Sequence, residues 1–177
     1  MQVQHLGYPA IICKSMDESI AFYTRAFGMR HLFTEPNRDD SESLQALLHA
    51  GDDTYLLLVG PTRPDIKLAE AQLGVGSMQY LSLSVSGADL DRAYTELAAS
   101  GVRASEEIRR GYERLVFLED PNGVLVTLTA WITDPPPTLT RADVLARAAE
   151  LRAAEAAPFL EDGHVRRAIA ALTARSM

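Results

Sequence analysis

The chain has 177 residues, of which 47% are hydrophobic and 23% are charged, a composition typical of a folded globular protein. Its net charge of -7 argues against nucleic acid or an anionic membrane as a partner. The sequence contains neither a long apolar run nor a basic-then-apolar N-terminal segment. We therefore expect no membrane span and no secretory signal, and a cytoplasmic location.

The first predicted elements are a strand and a helix in residues 8–28, YPAIICKSMDESIAFYTRAFG. An apolar run beginning at Tyr8 is followed by an acidic turn, a helical pattern and Gly28, a typical residue for ending a helix. Cys13 is the only cysteine, which excludes an intramolecular disulfide. Its apolar neighbours predict a buried structural thiol rather than a nucleophile.

Three further strands are predicted at 30–35, 44–50 and 54–59. The segment 61–77, which contains two prolines and two glycines, is predicted to be a linker.

Residues 80–101, YLSLSVSGADLDRAYTELAASG, repeat the plan of residues 8–28: tyrosine, apolar strand, acidic turn, helix and glycine. Strands are then predicted near 102–108 and at 112–119 and 124–130, with Asn122-Gly123 forming a hairpin turn. This pattern indicates an internal duplication.

The sequence therefore predicts an α+β fold of two βαβββ modules, residues 1–60 and 78–134, followed by a helical hairpin in 135–177. An apolar stripe at helical spacing supports the hairpin. We expect it to pack on the core or on a partner subunit; a lid over a cavity is the alternative.

The duplication and the phrases SMDESIAFYTRAFGM and FLEDPNGVLVTL together resemble the vicinal oxygen chelate superfamily. That superfamily includes glyoxalase I, extradiol dioxygenases, fosfomycin-resistance enzymes and bleomycin-resistance proteins. The resemblance covers about residues 5–131 and implies that each module folds into a cupped mixed sheet, with two modules around a cavity. In the enzymes of the family, four cavity-facing His, Gln or Glu side chains bind a divalent metal.

The four metal-binding positions of the family fall on Tyr8, Leu57, Tyr80 and Thr127 in this sequence. Two phenols, an alkyl chain and a hydroxyl do not replace carboxylate or imidazole ligands. We therefore predict a metal-free site with no cofactor. His5, in the phrase HLGYP, resembles the start of some metal-binding members, but using it would need three extra residues before the helix.

Strand alternation and the implied fold together predict which side chains line the cavity. Phe33 and Trp131 are further candidates, and Trp131 could stack on a flat ligand or belong to the core. The predicted ligand-binding residues are Tyr8, Phe33, Tyr55, Leu57, Tyr80, Ser82, Thr127 and Trp131.

Our first functional hypothesis is a metal-free protein that resembles bleomycin-resistance proteins. It would bind a small aromatic or amphipathic molecule in the cavity between the modules, as a homodimer, for sequestration or resistance. The alternative is an enzyme: a metal-free isomerase, cyclase or lyase acting through Tyr8 or Tyr80, or a metal-dependent lyase or dioxygenase with an atypical site including His5. Because an ordinary phenol, with a pKa of about 10, donates hydrogen bonds but is a poor base, binding is favoured over catalysis.

Overall fold

The computed structural model describes residues 3, 5–69 and 74–174. The described elements, in chain order, are β1 (Ala10–Ile12), α1 (Met16–Phe27), β2 (Arg30–Pro36), β3 (Ser43–Gly51), β4 (Thr54–Pro61), β5 (Leu81–Ser84), α2 (Gly87–Ala99), β6 (Ile108–Arg110), β7 (Glu113–Glu119), β8 (Leu125–Trp131), α3 (Arg141–Ala154) and α4 (Asp162–Thr173). No helix in these ranges is long and apolar enough to cross a membrane.

The chain forms two compact units that are not contiguous in sequence. The first comprises Met1–Leu81, Thr95–Ala104 and Leu118–Val126; the second comprises Ser82–Tyr94, Ser105–Phe117 and Thr127–Met177. The boundaries 1–60, 61–77, 78–134 and 135–177 follow chain order instead, and they stay a prediction.

The first sheet has the strand order β1-β4-β3-β2, with β1 parallel to β4 and the other pairs antiparallel. One face of this sheet packs against α1 because its apolar side chains alternate along each strand. The buried side chains of that face are Ile11, Ala46, Leu48, Leu56 and Leu58.

Helix α1 begins and ends at residues suited to those positions. The side chain of Ser15 accepts a hydrogen bond from the Glu18 amide, which satisfies one of the free N–H groups of the first turn. Gly28, with φ +65°, ends the helix in the left-handed conformation. Cys13, just before α1, is fully buried, as expected of a structural thiol, and burial raises its pKa.

The turn Asp120-Pro121-Asn122-Gly123 is attached to the start of α1 within the first unit. Asn122 Oδ1 accepts a hydrogen bond from the Lys14 amide at 2.8 Å, and its Nδ2 donates to Ser19 Oγ at 3.0 Å. Asp120 accepts a hydrogen bond from Tyr23 Oη at 3.0 Å. The phrase FLEDPNG therefore has a structural role besides forming a hairpin turn.

The second sheet has the strand order β5-β8-β7-β6. The strand predicted near 102–108 is wrong in position: β6 covers only Ile108–Arg110, and before it there is a single bridge between Ala104 and Leu118. The physical reason is that the Phe117 amide donates its hydrogen bond to the Ser105 side-chain hydroxyl. A side chain therefore replaces the backbone carbonyl that a paired strand would supply. The prediction of two mixed four-stranded sheets with helices, an α+β fold, is confirmed.

Helices α3 and α4 pack against the end of β8 in the second unit. Thr140 caps α3 by accepting a hydrogen bond from the Asp143 amide at 3.1 Å. The buried core that joins the two helices to the sheet contains Trp131, Val144, Ala148, Val165 and Ala168. The tail is thus a helical hairpin whose buried side chains form part of a hydrophobic core.

Candidate functional site

The first sheet presents an apolar face on the side opposite α1, which we call the open face. Directly opposed residues on neighbouring strands point to the same side. Ala10 is opposite Leu57, Leu57 is opposite Leu47, and Leu47 is opposite Phe33, so one row crosses all four strands. The rows on either side complete the face, whose residues are Ala10, Ile12, Arg30, Phe33, Glu35, Gln45, Leu47, His49, Tyr55, Leu57 and Val59.

The open face leaves much of its apolar surface accessible to solvent. Ile12 is 70% exposed and Phe33 is 43% exposed. Leu47, Leu57 and Val59 are half-buried, whereas the α1 side of the same strands is almost completely buried. A contiguous apolar surface of this kind marks a ligand or partner site more often than chance exposure does.

Polar groups lie at two borders of the open face. Gln45 Nε2 donates a hydrogen bond to Glu35 Oε1 at 2.7 Å, and both side chains are half-buried. At the opposite border the rings of His49 and Tyr55 are 5.6 Å apart. The face therefore combines an apolar centre with a carboxylate on one side and, on the other, two polar aromatic side chains with Arg30 opposite His49.

Tyr8 and Tyr80, at matching positions of the predicted repeat, both lie just before a strand. Tyr8 is 56% exposed, and the carbonyl of the next residue, Pro9, accepts a hydrogen bond from the Leu57 amide at 3.0 Å. Tyr80 precedes β5 and is half-buried. The phenol of Tyr8 is thus accessible beside β4.

The second sheet carries a chain of hydroxyl groups. Ser82 Oγ lies 2.9 Å from Thr129 Oγ1, which lies 3.0 Å from Thr127 Oγ1. Ser82 is exposed, but Thr127 is fully buried. A ligand could therefore reach the hydroxyl of Ser82, whereas the side chain of Thr127 has no surface exposed to a ligand.

Trp131 is part of the tail core rather than an open stacking surface. Its side chain is 7% exposed, the Tyr112 ring meets it edge-on at 5.1 Å, and the Arg141 guanidinium lies over its ring at 5.0 Å. Protein groups therefore occupy the ring surface that we predicted for a flat ligand. The tail sequence alone gave no indication that its first helix would cover this indole.

The residues at the four positions that the resemblance assigns to the metal do not fit a divalent ion. Tyr8 and Tyr80 supply phenols, Leu57 has no donor atom, and the Thr127 hydroxyl is bonded to Thr129. Among residues 3, 5–69 and 74–174, which the structure describes, there is no group of three or more His, Cys, Asp or Glu side chains that could hold a metal ion.

Apart from Phe33, the open-face residues of β2 and β3 were missed by the sequence analysis. The alternation of Gln45, Leu47 and His49 in the segment LQALLHA was the signal that could have found those of β3. Glu35 could not be placed, because the register of β2 shifts between His31 and Phe33, and such an irregularity changes which side chains share a face.

Comparison with known proteins places these features in a family. Residues 3–128 match the family described as Glyoxalase/Bleomycin resistance protein/Dioxygenase superfamily. No curated protein matches the chain by sequence.

Solved structures of this family share the fold at low sequence identity. A glyoxylase/bleomycin resistance protein/dioxygenase domain from Frankia sp. EAN1pec is 14% identical with a TM-score of 0.64, covering 73% of this chain and 93% of that one. The fosfomycin resistance protein FosX from Mesorhizobium loti is 18% identical with a TM-score of 0.55, covering 82% and 100%. FosX from Listeria monocytogenes, in a monoclinic form at pH 6.5, is 16% identical with a TM-score of 0.58, covering 73% and 95%. The match over residues 3–128 shows that this chain belongs to the Glyoxalase/Bleomycin resistance protein/Dioxygenase superfamily.

Proposed function

We propose that the protein binds a small aromatic or amphipathic molecule on the open face of the first sheet, without a metal. The observation that carries the proposal is the accessible apolar surface around Phe33, Leu47 and Leu57, on a sheet whose other face is buried along β3 and β4. Burying such a surface against a ligand contributes about 25 cal/mol per Å².

The polar borders of the open face favour a ligand with a hydrogen-bond donor at one end. The Glu35 carboxylate already accepts one hydrogen bond from Gln45, and a carboxylate has further lone pairs. An amine, hydroxyl or amide N–H on the ligand can use them. The net charge of -7 also favours a neutral or cationic molecule over an anionic one.

The biological role we propose is sequestration of such a molecule, as in resistance, by a cytoplasmic homodimer. A second copy of the chain that covers part of the open face would leave the ligand in a cleft formed with the partner, and contiguous apolar surface favours such burial because it is unfavourable in water. Sedimentation velocity at several concentrations tests the dimer, and a concentration-independent monomer would contradict it.

Nile red titration tests ligand binding on the open face with a neutral apolar probe. We expect Phe33→Ser and Ile12→Ser each to weaken Nile red binding about three- to tenfold, because each removes apolar contact area. Phe159→Ser is the matched control: Phe159 is 70% exposed but belongs to the tail. Equal binding by all four proteins, or loss only in the Phe159 variant, would overturn the proposal.

The second candidate function is an enzyme, and the exposed phenol of Tyr8 is the observation that favours it. Tyr8→Phe and Tyr80→Phe separate the two functions: a loss of turnover with unchanged Nile red binding supports catalysis. Elemental analysis of protein purified without an affinity tag tests the metal-dependent form, which includes His5. A stoichiometric transition metal would contradict the metal-free proposal.

A further inference from the structure

A groove of about 590 Å³ lies in the second unit, beside the end of β5 and the start of α3. This volume is within the range of small-molecule sites. Its tail side lies outside the family match, which ends at residue 128. The lining includes Ser84, Asp89, Asp134, Pro135, Leu139 and Arg141.

Arg141 is fixed at one wall of the groove by three contacts. Its Nη1 donates a hydrogen bond to Ser84 Oγ at 2.8 Å, and its Nη2 donates to Asp134 Oδ1 at 2.9 Å. The guanidinium also lies over the Trp131 ring. A guanidinium has five N–H groups, so these two hydrogen bonds leave donors for a ligand. The side chain is 42% exposed, so a ligand can reach it.

The charged groups of the groove are already paired. Asp134 neutralises Arg141, and Asp89 is paired with Arg92 and also accepts a hydrogen bond from Ser86 Oγ at 2.6 Å. The groove therefore offers N–H donors beside an apolar wall, with no uncompensated charge. Such a lining favours a neutral molecule with a hydrogen-bond acceptor, because each charged group already has a counter-ion and an added ion would gain little net attraction.

We propose that this groove is a second binding site, in which Arg141 binds the carbonyl oxygen of a small neutral molecule. The apolar part of the ligand lies against Pro135, Pro136 and Leu139. This site is separate from the open face of the first sheet, and it assigns the tail a role in ligand recognition.

Titration of the full chain with benzamide, benzoate and benzylamine, followed by ¹H–¹⁵N NMR, tests the groove. We expect benzamide to shift the amide signals of Ser84, Val85 and Ser86, with benzoate and benzylamine binding at least fivefold more weakly. Arg141→Gln should weaken benzamide binding at least tenfold. Arg147→Gln, a control on the same helix that lies outside the groove, should leave it unchanged. Benzamide shifts elsewhere, or wild-type affinity in Arg141→Gln, would overturn the proposal.

Asp134→Asn provides a test that does not depend on removing the binding residue. It leaves the charge of Arg141 uncompensated, so we expect benzoate to bind more tightly than benzamide in this variant. An unchanged ratio of the two affinities would show that Arg141 does not contact the ligand. Phe33→Ser should have no effect on benzamide binding, which separates this proposal from ligand binding on the open face.

Discussion

The carboxylate of Asp120 is 4% exposed and accepts four hydrogen bonds within the first unit. The Asn122 and Val124 amides donate to Oδ1 at 2.8 Å each, while Asn122 Nδ2 and Tyr23 Oη donate to Oδ2 at 2.9 and 3.0 Å. A buried carboxylate is stable when its oxygens are bonded in this way. The turn sequence predicts the local hydrogen bonds, whereas Tyr23 is 97 residues away, so only the tertiary structure supplies it.

Replacing Asp120 with alanine should lower the free energy of unfolding by about 3 kcal/mol, because Tyr23 loses its partner and the turn loses its side-chain acceptors. Urea unfolding measures the loss. Glu119→Ala is the control, since Glu119 is exposed and adjacent, and it should change stability by less than about 0.5 kcal/mol. Equal losses for both variants would contradict the role assigned to Asp120.

Alkaline pH should destabilise the protein through Tyr23 and Cys13. Burial, and then the Asp120 carboxylate, raise the pKa of Tyr23, and burial raises the pKa of Cys13. The unfolded chain releases these protons from about pH 10 and about pH 8.5 respectively, while the folded chain keeps them. Stability is therefore fully present below those values and falls as the pH rises above them.

Urea unfolding between pH 7 and pH 11 checks this dependence. Tyr23→Phe should lose the part of the decline that lies above about pH 10, and Cys13→Ala should lose the part that begins near pH 8.5. If both variants decline as steeply as the wild type, then these two groups do not cause the alkaline loss.

At the scale of elements, the sequence predicts most strands within a residue or two, because the apolar alternation is strong in segments such as VLVTLTA. The weakest alternation lies between 102 and 110, and there the predicted strand was misplaced. The surface on which the tail packs could not be predicted. The apolar stripe that includes Val144 and Ala148 shows only that the helix must pack against something. The position of that partner is set by contacts such as the one between Gly111 and Leu160.

Gly111 should tolerate alanine much less well than Gly28 does. Both have positive φ, +64° and +65°, but a Cβ at Gly111 would lie 2.4 Å from the Leu160 carbonyl oxygen, whereas one at Gly28 meets nothing within 4 Å. Gly28→Ala should cost about 1–2 kcal/mol for the left-handed conformation alone. Gly111→Ala should cost at least about 1 kcal/mol more, because backbone must move. Urea unfolding measures both, and equal losses would show that the tail does not press on Gly111.

At the scale of the whole molecule, the single tryptophan reports on the second unit. Trp131 is buried with Val165, which is fully buried on α4. Val165→Ala should lower the free energy of unfolding by about 2 kcal/mol, because two buried methyl groups are lost and a cavity is left behind. The loss is measured as a lower urea midpoint of the transition followed by Trp131 emission. Val75→Ala is the control, because Val75 is fully exposed. An unchanged midpoint in Val165→Ala would contradict the packing of the tail on Trp131.

The sequence by itself determined the α+β plan of strands and helices and the identity of the family, since these depend on local pattern and residue chemistry. Only the tertiary structure decided which faces are open. Strand register brings Leu57, Leu47 and Phe33 into one row, and the tail covers Trp131 while placing Arg141 beside Ser84. The physical reason is that pairing and packing between distant segments depend on the free energy of the whole fold, which no local pattern contains.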